Sequence, residues 1–211
     1  MNAAKNNGMS ALLMAASRGL VDILEMLLTV NTLDPGVAQH MLPIGVWTSP
    51  LLEACNAGHL ATALLLVNYR ASLESACPDG DCPLITATRA GHLEIVRALL
   101  DAKATSFTAA VSYPCFTPLY FACSAGEQEL VALLLGARAG SAPQPPGRTP
   151  LVTAATHGHH VVVHQLLSSG FIDCNGQALA AAQEAGHAVV CAMLRAGRRF
   201  RRRPVRRSPT W

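Results

Sequence analysis

The residues best suited to chemistry lie in one short stretch, His157-Gly158-His159-His160-Val161-Val162-Val163-His164. His160 and His164 stand four apart, a spacing that places two imidazoles on one helical face. Zinc requires three or four ligands at defined spacing, and no second His pair or Cys pair accompanies this one. His159 also fills a Gly-His place that recurs along the chain, where a local turn hydrogen bond accounts for it. No metal site and no cofactor is therefore expected. The seven cysteines include no C-x-x-C pair. Cys55 and Cys123 each follow a recurrent alanine, where small side chains let helices approach, and Cys82 takes a helix-cap place. Cys77 and Cys82 are near enough in sequence to pair under oxidation, but no secretory signal opens the chain, and reduced thiols are then the default. None has an activating base beside it. Phosphate-binding, dinucleotide, nucleophile-elbow and zinc-protease motifs are absent. The 13 carboxylates are scattered one or two per repeat. The expectation is a protein without catalytic activity.

The elements that would position these residues follow from a phrase that recurs through the chain. The pattern Leu-x-x-Ala-x-x-x-Gly runs over residues 12–19, 51–58, 84–91, 119–126, 151–158 and 179–186. Its glycines are 39, 33, 35, 32 and 28 residues apart. Four copies open on a cap and a proline: Ser49-Pro50, Cys82-Pro83, Thr117-Pro118 and Thr149-Pro150. A hydroxyl at such a cap satisfies a free backbone N–H, and proline in the first turn loses no hydrogen bond. The glycine ends the helix where a left-handed backbone is needed. A second apolar helix follows, as in Leu93-Glu94-Ile95-Val96-Arg97-Ala98-Leu99-Leu100, with leucines at helical spacing.

Composition agrees with a stack of small helices. Of the 211 residues, 51% are apolar, 14% charged and 5% aromatic, which supplies a core and argues against disorder over most of the chain. The net charge of +3 is unevenly spread. Residues 195–211 hold eight arginines and no acid, leaving 8 basic against 13 acidic groups, a net of −5, elsewhere. The apolar runs at 63–67 and 130–135 are far short of the ~18 residues a membrane span needs.

The Thr-Pro-Leu openings, Gly-His turns and Leu-Leu endings resemble the ankyrin repeat family. The fullest copy combines Thr149-Pro150-Leu151, Gly158-His159 and Leu166-Leu167; the copy with Cys82-Pro83-Leu84, Gly91-His92 and Leu99-Leu100 is nearly as complete. The resemblance implies an all-α solenoid of about six stacked helix-turn-helix repeats with protruding loop or β-hairpin fingers. The repeats fall at about 5–33, 45–76, 78–109, 113–143, 145–174 and 175–197, within an array at 1–197. Residues 198–211 are expected to form a disordered Arg-rich tail, broken by two prolines. The family often places His directly after Thr-Pro-Leu, where this chain has Leu13, Leu52, Ile85, Tyr120, Val152 and Ala180. Apolar packing should replace the polar network there.

Stacked repeats commit their core to structure and leave a long surface for recognition. The resemblance implies a non-catalytic scaffold or adaptor that binds an unidentified protein through its concave face and fingers. Partner-binding residues are expected at Trp47, Tyr113, Phe116, Asp79, Asp81 and Arg148 on the fingers. Arg89 and His157 are expected at the ends of the first helices, in a row with Arg18, Asn56 and Ser124. Aromatics and arginine rank first because binding energy concentrates in them. The alternative assigns binding to Arg198, Arg199, Arg201, Arg202, Arg203, Arg206 and Arg207, which suit an import carrier or nucleic acid. A monomer in the cytoplasm or nucleus is expected.

Overall fold

The computed structural model describes residues 11–30, 49–74, 82–102, 117–137, 149–173 and 175–201, with the backbone alone described at 30 and 198–201. These residues form twelve helices in six pairs, with no strand among them. The pairs are α1 (Ala11–Ser17) with α2 (Val21–Val30), α3 (Pro50–Ala57) with α4 (Leu60–Asn68), and α5 (Pro83–Arg89) with α6 (Leu93–Asp101). They continue with α7 (Pro118–Ala125) and α8 (Gln128–Gly136), α9 (Pro150–Thr156) and α10 (His160–Ser168), and α11 (Gln177–Glu184) and α12 (Ala188–Arg201). First helices pack on first helices and second on second, so the pairs build two layers around one core.

Local chemistry sets the helix bounds. Ser49, Thr117 and Thr149 each accept a hydrogen bond through the side-chain oxygen, from the amides of Leu52, Tyr120 and Val152 at 3.2, 3.3 and 3.3 Å. Cys82 holds the same extended cap conformation but makes no side-chain cap bond. The sixth pair lacks a Thr-Pro opening and is capped from further upstream. The Asp173 carboxylate accepts from the amides of Ala178 and Leu179 at 3.1 and 3.2 Å.

The recurrent leucine is buried in every pair from Leu12 to Leu151, and in the sixth Leu179 packs half-buried on the core. Each fully buried leucine contributes roughly 1.5–3 kcal/mol. In place of the family's histidine, Leu13, Leu52 and Ile85 are buried, Tyr120 and Val152 half-buried, and Ala180 exposed. Apolar packing thus replaces the polar network in the first three pairs and fades toward the last. Cys55 and Cys123 lie in the core with no exposed surface. Burial pushes both thiols up to about 12, helped at Cys55 by the nearby Cys82.

One boundary moves. The last helix runs through Arg201, past the limit drawn at 197, so Arg198, Arg199 and Arg201 lie on helical backbone rather than in an unstructured arm. Arginine is a good helix former, its charge suits a helix C-terminus, and the first proline after the helix is Pro204.

Candidate functional site

The turns between paired helices carry a repeated polar device that links one pair to the next. His59 Nε2 donates to the Ser17 carbonyl at 3.2 Å, His92 to Asn56 at 3.3 Å, His159 to Ser124 at 3.1 Å and His187 to Thr156 at 3.0 Å. A carbonyl can only accept, so Nε2 bears the proton in each case. Every bond reaches back to the end of the preceding first helix. The local turn bond expected at His159 is therefore a bond between repeats, formed with a residue 35 positions earlier.

The rings also lie against the preceding turn glycine. A Cβ at Gly58 would come within 2.6 Å of His92, and one at Gly126 within 2.5 Å of His159. Both glycines have positive φ, at 80° and 77°, so they serve the turn and the neighbouring ring together. The ladder breaks once inside the array. Glu127 stands where histidine would, and nothing approaches within 4 Å of a Cβ at Gly91.

At that same junction the first-helix layer carries an aromatic cluster. The Arg89 guanidinium sits 6.0 Å from the centroid of the Phe121 ring. Tyr120 meets Phe121 edge to face, with centroids 5.5 Å apart. A cation over an aromatic face at this limit is weakly attracted. Arg89 is exposed while Tyr120 and Phe121 are half-buried, so the cluster offers charge, ring edge and apolar area at one place. The other first-helix ends expose Arg18, Asn56 and His157, with Ser124 half-buried. His157 bonds the Thr153 carbonyl through Nδ1 at 2.9 Å, and its ring lies parallel to that of His159 at 5.9 Å. An open depression of about 270 Å³ adjoins His159 and His160 between the fourth and fifth turns. Among the described residues no three His, Cys, Asp or Glu side chains gather as a metal site.

The expected contact residues therefore divide. Arg89 and His157 lie in the exposed first-helix row, about two repeats apart. Trp47, Asp79, Asp81, Tyr113, Phe116 and Arg148 lie outside the described residues, as do Arg202, Arg203, Arg206 and Arg207. Phe121 was missed by sequence reasoning. Its signal was available: where the other copies carry Met14, Glu53, Thr86, Thr153 and Ala181, this one carries a large aromatic.

A family model described as Ankyrin repeats (3 copies) matches residues 31–110, 51–144 and 119–203. The chain belongs to the ankyrin repeat family, whose repeats are generally non-catalytic protein-protein interaction modules. It is similar to the ankyrin repeat and KH domain-containing protein mask-1 of Caenorhabditis elegans, 35% identical over 165 residues, 76% of this chain and 6% of that protein. Its likeness to the ankyrin repeat and KH domain-containing protein mask of Drosophila melanogaster is 36% over 89 residues, 42% of this chain and 2% of that protein. The chain thus spans a small fraction of the length of these relatives.

Among solved structures, the human ASB11 ankyrin repeat domain superposes with TM-score 0.73 at 24% identity, covering 90% of this chain and 84% of that one. A chain of the Bdellovibrio bacteriovorus predatory endopeptidase Bd0816 in complex with immunity protein Bd3460 gives TM-score 0.71 at 20% identity, covering 92% and 99%. These likenesses establish the fold. No helix among the described residues is long and apolar enough to cross a membrane.

Proposed function

We propose that this chain is a non-catalytic scaffold or adaptor that captures a protein partner on its row of first-helix ends and the adjoining fingers. The observation that carries the reading is the Arg89, Tyr120 and Phe121 cluster at the third-to-fourth junction. A guanidinium beside ring edges suits a partner segment that combines a carboxylate with an apolar or aromatic side chain. A preformed rigid array lowers the ordering cost of binding. Trp47, Tyr113, Phe116, Asp79, Asp81 and Arg148 would extend the surface along the fingers, and His157 would extend it along the helices. Among the described residues Cys55, Cys82, Cys123 and Cys191 are buried free thiols, which supports a reducing setting in cytoplasm or nucleus.

A second reading rests on the last helix, which carries Arg198, Arg199 and Arg201 on its backbone toward the remaining arginines. In that reading a phosphate backbone or an acidic import carrier is the partner, and binding falls steeply with salt.

The test is capture from lysate at low and high salt with the full chain, an Arg89→Ala/Phe121→Ala variant and a chain ending at residue 197. A discrete protein retained at high salt by the truncated chain, and depleted about tenfold or more by the double variant, supports the scaffold reading. Binding that disappears with residues 198–211 and is untouched by the double variant overturns it in favour of the arginines.

A further inference from the structure

The last helix pair opens differently from the others. Ser49, Thr117 and Thr149 cap their own helices. The residue before α11 is Gly176, with φ 76° and ψ 8° and no side chain to offer. The cap bonds come instead from the Asp173 carboxylate, which accepts from the amides of Ala178 and Leu179 at 3.1 and 3.2 Å. The Gly176 carbonyl accepts from the Ala180 amide at 2.9 Å and begins the helical ladder. Entry to this helix therefore depends on the length and path of the backbone across residues 174–177. The left-handed backbone at 176 is tolerated best by glycine.

That glycine directly follows Asn175, and the two residues together have chemistry of their own. The backbone nitrogen that follows an asparagine can attack the side-chain carbonyl carbon and close a succinimide ring. Glycine, lacking Cβ, leaves that nitrogen unhindered. Asn175 is exposed and stands in a bend outside the helices. Two other exposed asparagines give the contrast. Asn56 lies within α3 and Asn68 within α4. The amide following Asn68, that of Tyr69, is tied to the Leu65 carbonyl at 3.0 Å. A helical backbone keeps such a nitrogen out of attack geometry. A second Asn-Gly pair, Asn7-Gly8, lies outside the described residues.

We propose that Asn175-Gly176 is a self-modifying site, where spontaneous deamidation alters the entry to the last helix pair. The Gly176 nitrogen loses its proton and bonds to Asn175 Cγ, and the side-chain nitrogen leaves as ammonia. Water then opens the succinimide. Addition at Cγ gives aspartate; addition at the main-chain carbonyl gives isoaspartate. One water is consumed and one ammonia released, with no oxidation or reduction. Either product adds a carboxylate just ahead of α11, a charge that suits a helix N-terminus. Isoaspartate also routes the main chain through Cβ, adding a methylene between residue 175 and Gly176. That displaces Gly176 relative to Asp173, and with it the cap on Ala178 and Leu179. The pair so loosened is the one whose second helix carries Arg198, Arg199 and Arg201 on its backbone.

The test ages the folded full chain at neutral and mildly alkaline pH. The tryptic peptide 149–195, in which Asn175 is the only asparagine, is then mapped by mass spectrometry with fragmentation that separates aspartate from isoaspartate. Conversion at Asn175 is expected to run at least about tenfold faster than at Asn56 or Asn68, to rise with pH and to give both products. Asn175→Gln, which must close a larger ring, should remove it. Amides of α11 should exchange at least about tenfold faster in the isoaspartate form than in Asn175→Asp, which carries the charge without the added methylene. Conversion no faster than at Asn56 and Asn68, aspartate without isoaspartate, or an equal gain of acid in the Asn175→Gln peptide overturns the site. Equal exchange in the isoaspartate form and Asn175→Asp overturns its effect on the helix.

Discussion

The fourth and fifth helix pairs meet through an imidazole; the third and fourth do not. At the first of these junctions His159 lies over Gly126 and bonds the Ser124 carbonyl. At the second, Glu127 occupies the same place, Gly91 has nothing over it, and the contact passes instead through Arg89 and the Phe121 ring. The recurrent leucines on both sides, Leu84, Leu119 and Leu151, are buried alike. A repeat scaffold can therefore exchange the device that ties its turns together while keeping its core. The junction that gives up the histidine is also the one that carries the charged aromatic cluster.

The largest expected effect separates the two glycines. Both have positive φ, near 77° and 78°, so alanine at either costs about 1–2 kcal/mol of backbone strain. Gly126→Ala also drives a methyl into the His159 ring, bringing the loss to about 2–4 kcal/mol. Urea unfolding should therefore rank Gly126→Ala well below Gly91→Ala in stability, and equal losses would mean that the ring packing contributes nothing.

Next in size is an alkaline loss that comes from the core beneath the turns, at Cys55 in the second pair and Cys123 in the fourth. The Cys55 and Cys123 thiols sit at about 12 in the folded chain against 9.0 as the ordinary value. Unfolded chains release these protons from about pH 9 upward while the folded chain retains them. The stability is complete below pH 9 and is lost as pH rises toward 12, by up to about 1.4 kcal/mol per unit per thiol. Urea midpoints should fall from pH 9 to 10, and Cys55→Ala or Cys123→Ala should each remove part of the slope. A slope untouched by both substitutions would assign the alkaline loss elsewhere.

The smallest effect sharpens the comparison directly. Glu127→His should complete the ladder and raise stability by about 1 kcal/mol, the usual net contribution of one hydrogen bond. In that background Gly91→Ala should become as costly as Gly126→Ala. Additive behaviour in the double-variant cycle would mean that the new ring does not reach Gly91.

Much of the fold was legible because repetition writes the same local rules several times. Ser49, Thr117 and Thr149 with their following prolines marked helix starts, and the glycines marked the turns, since capping and positive φ are properties of a few neighbouring residues. Cys55 and Cys123 could be placed in the core from their spacing beside alanine. The last helix was drawn too short because the dense arginines read as an arm, although only Pro204 imposes a stop.

The sequence by itself determined the helix pairs, their order and the faces they bury, because each depends on periodicity within about thirty residues. Only the tertiary structure decided what crosses between pairs. His159 reaching Ser124 and Arg89 resting over Phe121 both depend on which surface lies next to which. That neighbour is fixed by stacking, which brings residues more than thirty positions apart into hydrogen-bond contact.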